Sequence, residues 1–258
     1  EEVIAKLQQI KQGLLHDLLT RGIDENGELR DPERHPEQFK DSPLGRIPRG
    51  WRVSALGELL DSVIDFRGRT PKKLGMSWGG GDIPALSAKN VRMGNIDLTL
   101  ETYYGSPALY ERWMTSGHAR RGDVLLTMEA PLGNVAQIPD DKRYILSQRV
   151  VLLKFDEQQA LNAFIAFQMR YQPFQANLRR WSTGTTATGI QRAKLVLVPL
   201  VVPPLAEQKR AITSILAADS KLAAEHATVA KLRTLKQGLM DDLLTGRVRV
   251  PVPEGAAA

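Results

Sequence analysis

Apolar residues recur at helical spacing at both ends of the chain and at strand spacing between them. At the N-terminus Ile4, Leu7, Ile10, Leu14 and Leu18 follow one another in steps of three or four, which places them on one face of a 3.6-residue helix. Toward the C-terminus Ile212, Ile215, Leu222, Val229, Leu232, Leu235, Leu239 and Leu243 keep to those steps or to their sum of seven. The diproline Pro203-Pro204 supplies a helix start just ahead of Leu205, because proline is preorganised for a first helical turn. This second helix is expected to run about 40 residues, or roughly 60 Å at 1.5 Å per residue. A single apolar stripe of that length needs a partner helix, and the N-terminal copy is the natural one.

Between the helices the pattern changes. Short strand candidates fall at 62–66, 83–87, 123–128, 134–138, 148–155 and 195–202, separated by glycine-bearing turns such as Trp78-Gly79-Gly80-Gly81-Asp82 and Pro131-Leu132-Gly133-Asn134. Phe164, Phe167, Tyr171, Phe174 and Leu178 recur at helical steps within 160–181, where Pro173 predicts a kink. Residues 21–41 are polar, charged and broken by Pro32 and Pro36, the composition of a connector. The expected fold is α+β: a mixed α/β domain of short strands, not a doubly wound parallel sheet, plus long amphipathic helices forming an antiparallel coiled coil. The expected partition is a helix over 1–22, a connector over 23–41, a globular domain over 42–202, a long helix over 203–246 and a tail over 247–258.

The two helices carry one segment twice. Residues 5–20 (AKLQQIKQGLLHDLLT) and 230–245 (AKLRTLKQGLMDDLLT) agree at 11 of 16 positions, 225 residues apart. A repeat that brackets a globular stretch suggests a module of helix, domain, helix, whose first helix belongs to a unit lying upstream. The chain opens mid-helix without Met, and upstream sequence is expected to precede it.

Charge is not spread evenly. Of the formal net +6, residues 44–194 hold 21 Lys and Arg against 13 Asp and Glu, net +8, and the flanks hold 14 against 16, net −2. A basic excess confined to the middle domain is expected if that domain meets a polyanion and the helices meet protein. No Cys occurs, which excludes disulfides and thiolate metal sites and suits a reducing compartment. No apolar run reaches the length of a membrane span, and Glu1-Glu2 begins no signal peptide, so a cytoplasmic location is expected.

A series of stretches resembles the DNA-specificity subunits of type I restriction-modification systems. They are Ile47-Pro48-Arg49-Gly50-Trp51 with Leu56-Gly57-Glu58, Arg67-Gly68-Arg69-Thr70-Pro71, Ile83-Pro84, and Arg121-Gly122-Asp123-Val124-Leu125-Leu126-Thr127. The series continues through Leu132-Gly133-Asn134-Val135-Ala136, Ser147-Gln148, Ser182 to Ile190, and Val201-Val202-Pro203-Pro204-Leu205-Ala206-Glu207-Gln208 up to Ile212. The resemblance implies one target-recognition domain reading half of a split DNA sequence, with long helices acting as a ruler between half-sites. It implies as partners double-stranded DNA, DNA adenine methyltransferase subunits and restriction subunits, with no cofactor of its own. Only one recognition domain is present. That leaves open a C-terminal half or a half-subunit that forms a homodimer through the long helices.

Sequence is read by donors and acceptors at base edges, while Arg and Lys on phosphates fix the register. The candidates are the loop Arg67, Arg69, Thr70, Lys72 and Lys73, whose Gly and Pro are expected to make it protrude, and Lys89, Asn90 and Arg92. Lys142-Arg143-Tyr144, Gln148 and Arg149 follow, with Arg179, Arg180, Thr183, Thr185 and Thr186. Asn90 offers an amide suited to adenine, and Arg92 a guanidinium suited to guanine.

Catalytic motifs fail. Gly184 to Gly189 has the glycine spacing of a phosphate loop, but Ile190-Gln191 stands where Lys and Ser or Thr are needed. Glu207-Gln208-Lys209 spells the Glu-x-Lys of metal-dependent nucleases in the first turn of a helix, where a helix surface is the expected setting. No Asn-Pro-Pro-Tyr or Asp-Pro-Pro-Tyr tetrapeptide for adenine methylation occurs, and His16, His35, His118 and His226 are too scattered to propose a metal cluster. No catalysis is expected from this chain alone. Two further classes stay open: the reader of a fused methyltransferase or nuclease, and a scaffold whose basic domain docks an acidic protein.

Overall fold

The computed structural model describes residues 2–183 and 188–248. The chain divides into two compact units, Glu1–Leu15 with Thr213–Ala258, and His16–Ile212. Helix α1 (Glu2–Thr20) passes from the first into the second, and the long helix α6 (Leu205–Leu244) passes back. The 40 residues of α6 start directly after the diproline.

The globular unit is built on a four-stranded antiparallel sheet of β4 (Leu60–Asp65), β10 (Val150–Phe155), β7 (Val124–Met128) and β8 (Leu132–Gln137), in that order. Every residue of β7 is buried, as is all of β10 except Lys154, so the strands read as unbroken apolar runs covered on both faces. In register, Leu152 pairs with Ile64 on one side and Leu125 on the other. These residues join Leu109, Trp113, Ile145 and Leu146 in the main core. The Trp113 indole N–H donates to the Leu146 carbonyl at 2.8 Å, which satisfies its one polar group. Lys154 is ion-paired with buried Asp123.

A second sheet holds β6 (Tyr103–Gly105), β5 (Ile83–Leu86) and β9 (Ile145–Leu146), with β5 antiparallel to β6 and parallel to β9. Residues 147–149 therefore carry the chain from one sheet into the other. Helix α2 (Pro107–Trp113) starts at Ser106, whose hydroxyl accepts the Leu109 N–H at 3.1 Å, a normal N-cap. Helices α3 (Asn162–Arg170) and α4 (Gln172–Arg180) lie against β8. Two smaller pairs complete the unit, β1 (Phe39–Lys40) with β2 (Ile47–Pro48) and β3 (Arg52–Ala55) with β11 (Pro199–Val202).

Several expectations need correction. The helix expected over 160–181 is two helices, broken at Tyr171, whose ψ of 145° is extended. Pro173 does more than kink it, because it opens the first turn of α4. The strand expected over 195–202 is half that length: Leu195 ends α5 (Arg192–Leu195), residues 196–198 turn with Val198 buried, and only Pro199–Val202 form β11. A short apolar run cannot distinguish a buried turn from a strand by its periodicity.

The Glu207 side chain, expected on a helix surface, is buried. It accepts the Ile23 N–H at 3.0 Å and both terminal nitrogens of Arg30, at 2.5 and 3.1 Å. Next to it, Gln208 donates to the carbonyls of Pro203 and Gln159 and accepts the Leu161 N–H. The stretch after α1 is thereby fastened to the first turn of α6. Gly22 makes the approach possible: its φ of 65° caps α1, and a Cβ there would meet Glu207 and Trp51.

In the helical unit Lys11 is ion-paired with Asp219. Since Ile23 meets Glu207 and Lys11 meets Asp219, α1 and α6 run in opposite directions. Leu7, Leu14, Leu222 and Val229 are partly buried, and Ile215 is buried. Ile10 is not on this stripe, being 55% exposed; the step from Leu7 to Leu14 passes through partly buried Lys11 instead. Leu232, Leu235, Leu239 and Leu243 are 57, 56, 54 and 47% exposed. Among the described residues, no helix is long and apolar enough to cross a membrane.

Candidate nucleic-acid interface

The loops that follow β4, β5, β7 and β9 bring charged side chains, alternating in sign except between Arg149 and Lys89, into one row. It begins at Arg192 in α5, which acts on Asp65 at the end of β4. Asp65 holds Arg67 edge-on: Nε donates to Oδ1 at 2.9 Å and Nη2 to Oδ2 at 2.6 Å. Burial raises the Asp65 carboxyl, and the Arg67 hydrogen bonds more than reverse this, so it lies below its ordinary 3.8. Those bonds in turn raise Arg67, as does the nearby charge of Glu129. Glu129, just past β7, also pairs with Arg149, Oε1 to Nε at 3.2 Å. Arg149 opposes the charge of Lys89, which the Glu101 carboxylate holds above its ordinary value through an ion pair.

Two clefts flank the row. One of about 370 Å³ is lined by Arg67, Glu129, Thr183, Gln191 and Arg192. The other, about 380 Å³, is lined by Arg69, Lys89, Tyr103, Gln148 and Arg149 among others. Tyr103 stacks on Trp78, ring centroids 5.6 Å apart and planes 15° from parallel. Arginine and lysine beside hydrogen-bonding side chains and an exposed aromatic ring are the groups that meet phosphates and base edges.

The structure thus brings together Arg67, Arg69, Thr70, Lys89, Gln148, Arg149 and Thr183 from the sequence candidates. The Arg67 loop does not protrude as expected. Pro71 is buried, Arg67 folds onto Asp65, and Lys73 Nζ donates to the Gly68 carbonyl at 2.7 Å. Arg69 lies over the Phe66 ring, 4.7 Å from its centroid, and donates to the Trp113 carbonyl. Lys72 is exposed.

Asn90 is wholly buried, and its amide does not face outward to meet adenine. Its Oδ1 accepts from the Ser87 N–H and hydroxyl, and its Nδ2 donates to the Thr102 hydroxyl at 2.8 Å. Arg92 is exposed. Arg143 makes its contacts elsewhere, over the Tyr110 ring and beside Glu111 at 3.6 Å. Neighbouring Tyr144 is buried; burial and its hydrogen bond to Asp140 push its hydroxyl up to about 12. Arg179 and Arg180 stand exposed at the end of α4. Thr183 pairs with Gly189, which bridges to Glu129, while Thr185 and Thr186 lie outside the described residues.

Sequence reasoning missed Asp65, Glu129, Glu101, Tyr103 and Arg192. A search for cations and amides passes over carboxylates, yet these set where the cations point. Arg192, which follows the Ser/Thr/Gly run at once, could have been found by reading that run onward. Among the described residues no three or more His, Asp or Glu lie together as a metal site would require.

The family model for the type I restriction modification DNA specificity domain matches residues 48–233. The type I restriction enzyme MjaVIII specificity subunit of Methanocaldococcus jannaschii is 26% identical over 252 residues, covering 96% of this chain and 55% of that protein. The crystal structure of the HsdS subunit from Thermoanaerobacter tengcongensis aligns with TM-score 0.57 at 20% identity, over 93% of this chain and 51% of that one. A chain from a structural study of complex assembly and conformational transition in the type I R-M system aligns with TM-score 0.53 at 19% identity, over 93% and 55%. The chain spans about half the length of the curated relatives it matches.

Proposed function

Since the chain belongs to the family of type I restriction modification DNA specificity domains, we propose that it reads one half of a bipartite DNA target and positions methyltransferase and restriction subunits on it. The observation that carries this reading is the row from Arg192 to Lys89, set in a domain whose residues 44–194 carry net charge +8. In this reading the exposed Lys72, Arg92, Arg179 and Arg180 take phosphates, while the arginines of the row and Gln148 face base edges. The chain is the non-catalytic part of the complex and works in the cytoplasm, where the DNA is.

The helices supply the protein contacts. Leu232, Leu235, Leu239 and Leu243 form an exposed stripe, and a stripe of that length favours association. It is covered by a helix of the methyltransferase assembly or by a second copy of the chain; a twofold pair would set two readers in opposite orientations on an interrupted palindrome.

The test is reconstitution. Co-expressed with a type I adenine methyltransferase subunit from its own genome, the chain should co-purify and direct labelled methyl groups to one sequence, and by itself transfer none. Methyl transfer by the isolated chain, or a complex that methylates without sequence preference, would overturn the reading.

A further inference from the structure

Among the described residues, two non-glycine side chains sit on left-handed backbone: Ala130 at φ 42° and Arg149 at φ 66°. They are neighbours across the sheet. The Arg149 carbonyl accepts the Met128 N–H at 2.8 Å, and both residues line the cleft that also holds Arg69, Lys89, Gln148 and Tyr103. L-residues with side chains avoid this conformation, and it persists where surrounding structure over-determines it, which is characteristic of binding and catalytic sites.

Here the over-determination is visible. On one side the Ser147 N–H donates to Leu86 at 2.8 Å and the Gln148 carbonyl accepts from Ala88 at 3.3 Å, fixing the strand to β5. On the other, Val150 pairs with Thr127 of β7. Arg149 is the hinge between two sheets, and its conformation turns the side chain out, half exposed, against Glu129. A glycine would fill such a position without strain, so the presence of arginine calls for a use of its side chain.

We propose that Arg149 is the base-reading residue of this domain and Glu129 its positioning residue: the carboxylate holds Nε, leaving the two terminal nitrogens to donate as a pair to the acceptors of one base, guanine O6 and N7. Glu129 suits this role because it pairs with Arg149 and lines a cleft together with Arg67. A lysine would keep the charge but lose the paired donors. The inference rests on the DNA-reading function proposed above.

The experiment selects bound sequences from a randomised duplex DNA library, using the complex with its methyltransferase subunit, and measures melting in parallel. Wild type should enrich a defined half-site. R149K and R149G should lose preference at one base pair by about 5- to 150-fold, and R149G should melt no lower than wild type because the backbone strain is relieved. E129A should lose preference at that position while its melting stays near wild type and its affinity for unrelated duplex rises, since a negative charge is gone; loss of a carboxylate needed only for folding would instead lower melting and weaken binding to every sequence together. If wild type enriches nothing, the DNA-reading function itself fails. If wild type enriches a half-site and R149K and R149G keep it at equal preference, Arg149 is a structural bulge and the proposal is overturned. An E129A variant with unchanged preference would remove Glu129 from its role.

Discussion

At the scale of single residues, Asp65 shows how a candidate reading surface is also a stability element. Its carboxyl is drawn below 3.8 by Arg67 despite burial. A group whose folded value is depressed contributes stability that is complete above the unfolded value and is lost as pH falls through the folded one. The melting temperature of wild type should therefore fall more steeply than that of Asp65→Asn below about pH 4. The contribution is of order 1 kcal/mol or less, because the pair is partly screened by solvent; parallel melting curves of the two proteins would check the window and the sign. Most cations and the amides of this site were legible in the sequence; its carboxylates, and the directions of its side chains, were not. Asn90 and Arg69 have the right chemistry for base contact, but Ser87, Thr102 and the Trp113 carbonyl claim their donors and acceptors from within the fold. Those partners lie as far as 44 positions away in the chain, and no local spacing announces them.

At the scale of elements, long patterns were readable and short ones were not. The start and length of α6 follow from Pro203-Pro204 and the leucine stripe, because a helix of that length repeats its signal many times. The central strands β4, β5, β7, β8 and β10 overlap their expected ranges, being apolar runs bounded by glycine turns. The two- to four-residue strands β1, β2, β3, β6 and β9 exist only because a partner strand is present. The long helix carries a prediction of its own. Inserting one heptad between Ser220 and Lys221 keeps the phase of the stripe and adds about 10 Å. The spacer of the methylated sequence should lengthen by about three base pairs, with the half-site bases unchanged. Methylome sequencing of a host carrying the variant reads both quantities, and a spacer that ignores the insertion would rule out a ruler.

At the scale of the whole molecule, charge is segregated by role: net +8 over 44–194 and net −2 over the rest. Each phosphate neutralised by Lys or Arg adds about −0.9 to the slope of log affinity against log salt. With Lys72, Arg92, Arg179 and Arg180 on phosphates, duplex binding by the complex should show a slope of about −3 to −4. Anisotropy titrations across a salt series would measure it; a slope shallower than about −2 would mean that most of these side chains never reach the backbone.

The contact between Ile23 and Glu207 reaches past stability. The chain leaves α1 and, 184 residues later, returns to within one hydrogen bond of the point of departure. Everything between is a loop whose two ends meet at this doorway. Segments whose ends meet in this way can be exchanged without disturbing what they are hung on. The repeat at 5–20 and 230–245 adds matching stretches of sequence on either side of the doorway. If the domain reads DNA as proposed, recombination across those stretches exchanges it for another and changes the target in one step, with the sequences of the helices retained.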